Sequence, residues 1–184
     1  MSWIQTASGG RFDLEAPRAE DISLGDVAHA LSNLCRFNGH CRSFYSVAQH
    51  SELVAHALLR FDRDVARAGL LHDASEAYLG DVVRPLKRIV GGVYERLERE
   101  VLARVYEALG LPWPDDAVWA LVKREDVRAL MTERRDLLPA PPAPWFEDEA
   151  GIEPWPEVIV PVGPDAARDR FLWAATSLGL GGAS

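Results

Sequence analysis

Two cysteines, Cys35 and Cys41, are all the chain has, too few for the disulfide framework that holds small secreted domains together. The opening Met1-Ser-Trp-Ile-Gln lacks the basic and apolar pattern of a secretory leader, so the expected location is cytoplasmic. Long apolar runs are missing as well: charges interrupt each one well before the ~20 residues needed to cross a bilayer, and no membrane association is expected. Basic charge is also in short supply. Lys and Arg number 20 against 28 Asp and Glu, a net charge of −8. That balance argues against a sequence-independent grip on duplex nucleic acid, which depends on neutralising many phosphates. A phosphate-bearing partner of such a chain is small, and handling it calls for local positive charge or a metal ion.

What is present is an ordinary globular balance, 48% hydrophobic and 26% charged over 184 residues, a length that suits one hydrophobic core. The chain reads as a single domain that folds alone or as a simple oligomer. Its core covers about residues 20–138, followed by a proline-rich region 139–164 and a closing helix 165–178.

Residues 1–20 carry no helical period and read as an extended or irregular segment with a turn at Gly9-Gly10. Beyond them the fold class is all-α, a bundle of about six helices. Ser23 can cap a helix through Val27, Leu31 and Leu34 that ends at Asn38-Gly39. Val47, Leu53, Val54, Ala57 and Leu58 give residues 43–60 one buried face. Val65 to Tyr78 reads as one helix stopped by Gly80, and Pro85 suits the first turn of a helix over 83–90. An amphipathic helix follows over 93–109, and Asp115 or Asp116 can open another that runs to about Leu138. Prolines, among them Pro141-Pro142, exclude a regular helix from 139–164. Trp145, Phe146 and Trp155 suggest that this region packs against the rest, and Glu157 to Pro161 has the composition of a brief strand.

Chemistry concentrates around His72-Asp73, in the stretch Ala68-Gly-Leu-Leu-His-Asp-Ala-Ser-Glu-Ala-Tyr. Imidazole plus carboxylate suits a divalent first-row metal. Successive helical residues point about 100° apart, so the pair can bracket a cation but cannot enclose it, and other segments must contribute. His50, Glu76, Asp81 and Asp126 are the candidates. His29, His40 and His56 compete with His50, and Glu125 stands beside Asp126.

An upstream His, a His-Asp pair in a helix and a distant Asp in a later helix resemble the H…HD…D pattern of HD-domain phosphohydrolases. His72-Asp-Ala-Ser-Glu-Ala-Tyr-Leu-Gly-Asp81 is similar to the corresponding stretch of bacterial 5′-deoxynucleotidases in that superfamily. Asp26-Val-Ala-His-Ala-Leu, Arg36-Phe-Asn-Gly-His and Tyr45-Ser-Val-Ala-Gln-His-Ser resemble a compact branch that includes a phage dATP triphosphohydrolase.

The resemblance implies an HD-type helical bundle that hydrolyses the 5′-phosphate ester of a small (deoxy)nucleotide, with monophosphate cleavage favoured over a triphosphohydrolase activity. His50, His72, Asp73 and Asp126 become the ligands of one divalent transition metal, with Mn, Co, Fe, Ni or Zn suiting the set better than Mg. Glu76, one turn after His72, becomes the catalytic residue that activates or orients the attacking water. Arg36 falls near substrate phosphate or sugar, and Phe37 near the nucleoside. Arg84 and Lys87 would add positive charge at the pocket mouth. Asp81 would contact a sugar hydroxyl, or instead cap the helix over 83–90. A non-catalytic nucleotide-binding module is the alternative outside enzymology, and an intact Glu76 speaks against it. Motifs of alarmone or cyclic-dinucleotide hydrolases are not evident.

Overall fold

The computed structural model describes residues 2–145 and 151–181. It is mostly helical, with one small sheet at the start of the chain. Strands β1 (Trp3–Gln5) and β2 (Arg11–Asp13) pair antiparallel, Ile4 opposite Phe12, across a turn in which Gly9 takes a φ of 87° that L-residues avoid. Two anchors hold this hairpin to the helices. The Phe12 ring stacks on Tyr78 at 3.9 Å, and the backbone N–H and hydroxyl of Ser8 both donate to the Asp26 carboxylate at 2.7 Å.

The helices are α1 (Leu24–Asn33), α2 (Val47–Leu58), α3 (Arg63–Leu71), α4 (Glu76–Leu79), α5 (Arg84–Val90), α6 (Gly92–Ala108), α7 (Asp116–Leu137) and α8 (Pro164–Ser177). Side-chain caps start several of them, as their sequences require. Ser23, Ser46 and Asp115 accept from the backbone N–H of Asp26, Gln49 and Val118, and prolines occupy the first turns of α5 and α8. Helix α2 is central. It packs against α1, α3, α7 and α8, burying Val47, Ala48, Val54, Ala55 and Leu58. Among the described residues no helix is long and apolar enough to cross a membrane.

Three expectations are corrected. The first helix stops at Asn33, and Arg36–Gly39 forms a separate 3-10 turn in which Phe37 and Asn38 have φ of 54° and 51°. The helix expected over 65–78 is broken into α3 and α4. At the break the Gly69 carbonyl accepts from Nδ1 of His72 at 2.7 Å, and the N–H groups of Ala74 and Glu76 bond three residues back, to Leu71 and Asp73, which tightens the chain. The segment 157–161 forms no strand and joins no sheet. Its backbone groups are taken by side chains instead: Ile159 N–H donates to Asp136, and the Val160 carbonyl and Val162 N–H bond the Gln49 amide at 2.8 and 3.0 Å.

This segment is a strap over α7. Trp155 is buried, its indole N–H donates to Glu125 at 3.1 Å, and its backbone N–H donates to Thr132 at 2.9 Å. Trp145 packs against the Phe37 ring, whereas Phe146 lies outside the described residues.

Helices α2 and α3 approach closely at Gly69. A Cβ on Gly69 would stand 2.5 Å from Cδ1 of buried Leu58 and 3.3 Å from the Ala55 Cα. Gly69→Ala is therefore expected to lower stability by ~1–3 kcal/mol, outweighing the ~0.5–1 kcal/mol that alanine adds within a helix. Urea denaturation measures it, and a variant as stable as the parent would show that Leu58 moves aside without cost.

Candidate metal centre

Three segments distant in sequence bring four side chains to one point. His50 comes from α2, His72 and Asp73 from the turn after α3, and Asp126 from the middle of α7. Nε2 of His50 lies 3.2 Å from Nε2 of His72 and 3.5 Å from both Asp73 Oδ2 and Asp126 Oδ1. Nε2 of His72 lies 3.2 Å from Asp73 Oδ2 and 4.0 Å from Asp126 Oδ1. Metal–ligand bonds of about 2.0–2.2 Å set tetrahedral neighbours roughly 3.4 Å apart, which is the scale of these separations.

The outward atoms of three of these groups, His72, His50 and Asp126, are already engaged. Nδ1 of His72 donates to the Gly69 carbonyl at 2.7 Å, and Nδ1 of His50 meets Glu133 Oε1 at 2.6 Å. Asp126 Oδ2 accepts from Arg84 at 2.8 Å. A carbonyl can only accept, so His72 carries its proton on Nδ1 when neutral, and a carboxylate imposes the same tautomer on His50. Two Nε2 lone pairs then face each other at 3.2 Å, an arrangement that needs a proton or a cation between them. His50, His72 and Asp73 thus form a group that could hold a metal ion.

The electrostatics agree. Burial and the Arg36 guanidinium oppose a charge on His50, yet Glu133 and Asp126 overcome them and push its pKa up to about 9. Burial works against an ionised Asp73 too, but the His72 and His50 imidazoles hold it well below the usual range. Asp73, Glu76, Asp81, Asp126 and Glu133 gather beside Arg36, Arg84 and Lys87, and a dication displacing the proton from His50 would let more of these carboxylates ionise.

Glu133 was not foreseen from the sequence. It is fully buried on α7 and accepts from Nε and Nη2 of Arg36 at 3.1 and 3.0 Å and from the Tyr45 hydroxyl at 3.1 Å, besides holding His50. The available signal was its place seven residues after Asp126, two turns along one helix face.

The competing residues separate cleanly. His29, His40 and His56 are exposed. Glu125 points away to Arg60, at 2.6 Å, and to Trp155, one residue and about 100° round the helix from Asp126.

The remaining sequence candidates border a cleft of about 1400 Å3 that reaches His72, Asp73 and Asp126, lined among others by Arg36, Phe37, Glu76, Asp81, Arg84 and Lys87, with His50 buried beneath. Arg36 is buried, with Nη1 3.7 Å from Asp73, so besides bordering the cleft it serves Glu133. Arg84 holds Asp126, and Lys87 bridges Glu98 at 2.6 Å and Glu76 at 3.3 Å. Asp81 does not cap α5, which begins after Val83 without a side-chain cap. Glu76 is buried. Oε2 has no hydrogen-bond partner among the described residues. Burial first, then the Asp73 and Asp81 carboxylates, raise its pKa well above the ordinary range against the pull of Lys87.

Fold and site together define a mostly helical protein with a His/Asp group suited to a metal ion. No protein-family profile matches the chain. It is 42% identical over 137 residues, 74% of its length and 73% of the relative's, to the uncharacterized protein YfdR of Escherichia coli strain K12, and it belongs to the same family as YfdR. It is also 38% identical over 117 residues, 60% of each chain, to the uncharacterized protein RCAP_rcc00048 of Rhodobacter capsulatus.

Proposed function

We propose that this protein is a metal-dependent phosphohydrolase of small nucleotides with an HD-type fold, and that it cleaves the 5′-phosphate ester of deoxynucleotides. The observation that carries the reading is the convergence of two Nε2 atoms and two carboxylates, with His50, His72 and Asp126 held from behind, at a cleft bordered by basic and aromatic side chains. His50, His72, Asp73 and Asp126 are the ligands of a first-row dication such as Mn, Fe, Co, Ni or Zn. When bound, such an ion polarises a phosphoryl oxygen and makes water more acidic.

The protein's own residues do the rest. Glu76 presents a carboxylate oxygen without a hydrogen-bond partner among the described residues, placed to take a proton as water adds to phosphorus. Lys87 pulls the Glu76 pKa down against burial, and a dication beside Asp73 would act in the same sense, towards the carboxylate that accepts the proton. Arg84 and Lys87, on the cleft wall, draw phosphate oxygens towards the site and limit repulsion from the surrounding carboxylates. The ester P–O bond then breaks and its oxygen takes up a proton.

Incubating the protein with dAMP, dATP and their ribose counterparts, with Mn, Co or Mg, tests the reading. Phosphate from dAMP is the expected product, whereas triphosphate from dATP would mark the triphosphohydrolase alternative. No release from any of them would end the mononucleotide reading. Glu76→Ala is expected to keep its metal and lose ~10²-fold or more in turnover, and unchanged turnover would remove Glu76 from the mechanism.

A further inference from the structure

The cleft of about 1400 Å3 exceeds the roughly 300–1,000 Å3 of ordinary small-molecule sites, and it has an aromatic wall on each side of the four ligands. It follows α7. Trp119 and Asp126 both line it; seven residues apart, they share a helix face about 10 Å apart along the axis. At the Trp119 end the Trp113 ring, also on the cleft wall, is 46% exposed, although it lies 5.3 Å from Tyr106 and 5.5 Å from Trp119.

In the other direction along α7, Arg134 stands eight residues beyond Asp126, about 12 Å along the axis, with its guanidinium 5.2 Å over the Trp145 ring. Trp145 and Phe37 line the cleft with their centroids 6.3 Å apart. Phe37 and Asn38 are the described non-glycine residues with positive φ, at 54° and 51°. A left-handed backbone of this kind is costly for L-residues and collects at ligand sites. It is what presents Phe37 at the cleft.

We propose that these two walls are two base subsites, and that the substrate is a phosphate-bridged dinucleoside. One base lies on Trp113 and the other beside Phe37 and Trp145, with the bridge over His50, His72, Asp73 and Asp126. This inference rests on the phosphohydrolase reading and deepens it. The ligands sit between the two walls, so a single nucleotide reaching them uses one wall only. The chemistry is the same hydrolysis: water adds to a bridging phosphorus, one bridging P–O bond breaks, and the departing oxygen takes up a proton. Each product keeps one base.

Binding to metal-free protein, read by tryptophan fluorescence, tests this apart from turnover. The probes are diadenosine triphosphate, bridged 5′ to 5′, the 3′–5′ dinucleotide of deoxyadenosine, and dAMP. At least one dinucleoside is expected to bind about tenfold tighter than dAMP, and the tighter of the two identifies the bridge. Trp113→Ala should erase that advantage; were it to fail a thermal-melt check, Phe37→Ala at the opposite wall applies the same criterion. Equal affinities for dAMP and both dinucleosides, or an advantage that survives the substitution, would overturn the proposal. If dAMP is hydrolysed while no dinucleoside is preferred, the two-base proposal falls and the hydrolase reading stands. A clear preference for a dinucleoside, with neither the dinucleosides nor dAMP and dATP hydrolysed when Mn, Co or Mg is added, supports the two base subsites and ends the hydrolase reading.

Discussion

His72→Ala is expected to abolish metal retention and with it nucleotide hydrolysis, by ~10³-fold or more. The imidazole supplies the Nε2 that stands 3.2 Å from both His50 Nε2 and Asp73 Oδ2, so without it His50 and Asp73 lose the neighbour they share. A metal ion contributes several kcal/mol of transition-state charge stabilisation, and each ~1.4 kcal/mol is a factor of ten in rate. The fold should survive. The variant loses one hydrogen bond to the Gly69 carbonyl, worth about 1 kcal/mol, while Leu70, Leu71 and Ala74 on either side remain buried. Elemental analysis of protein purified without chelator, alongside turnover and a urea curve, separates loss of metal from loss of fold. A variant that retains its metal and its turnover would disprove the site.

Glu133→Ala is expected to be the most destabilising single substitution in the site, at ~3–5 kcal/mol. Its carboxylate is fully buried and answers the buried Arg36 guanidinium, His50 and Tyr45 at once. Removing one partner of a buried ion pair leaves an uncompensated charge, and that sets the magnitude. Glu133→Gln keeps an acceptor and should cost less in stability, yet it weakens the hold on the His50 tautomer and should lower metal affinity ~10–100-fold. Denaturant curves and metal titrations measure the two effects, and wild-type values in both variants would contradict the role given to Glu133.

The same pair sets a pH dependence in metal-free protein. Burial disfavours the Glu133 carboxylate, but Arg36 and His50 lower its pKa below the ordinary 4.5; its contribution is present above that value and is lost as pH falls through the lower folded pKa. His50 is raised from 6.5 to about 9. Its contribution is complete below 6.5 and is lost as pH rises through about 9. Chelator-treated wild type should therefore lose stability on both flanks, and Glu133→Ala should lose much less on the alkaline one. Parallel curves for the two proteins would contradict this linkage.

The sequence by itself determined what short range can determine. Ser23 and Asp115 mark helix starts because a side-chain oxygen two or three residues ahead of a free N–H is a local interaction. The apolar spacing of α2 shows its buried face for the same reason. His72-Asp73 stood out because polar, metal-capable side chains interrupt an apolar helical stretch. What tertiary structure decided is which groups meet. Glu125, Asp126 and Glu133 share α7 and a charge, yet one serves the strap, one faces the cleft and one lies behind His50. Arg36 and Lys87, which the sequence offered as cations for a substrate, border the cleft and also hold carboxylates of the protein itself. The break at His72 also waited for the fold, because a side chain competing for the Gly69 carbonyl must first be turned towards it. Helical periodicity orients a residue within its own helix. The pairing of His50 with a carboxylate 83 residues away is set by how α2 packs on α7, and that packing belongs to the whole core.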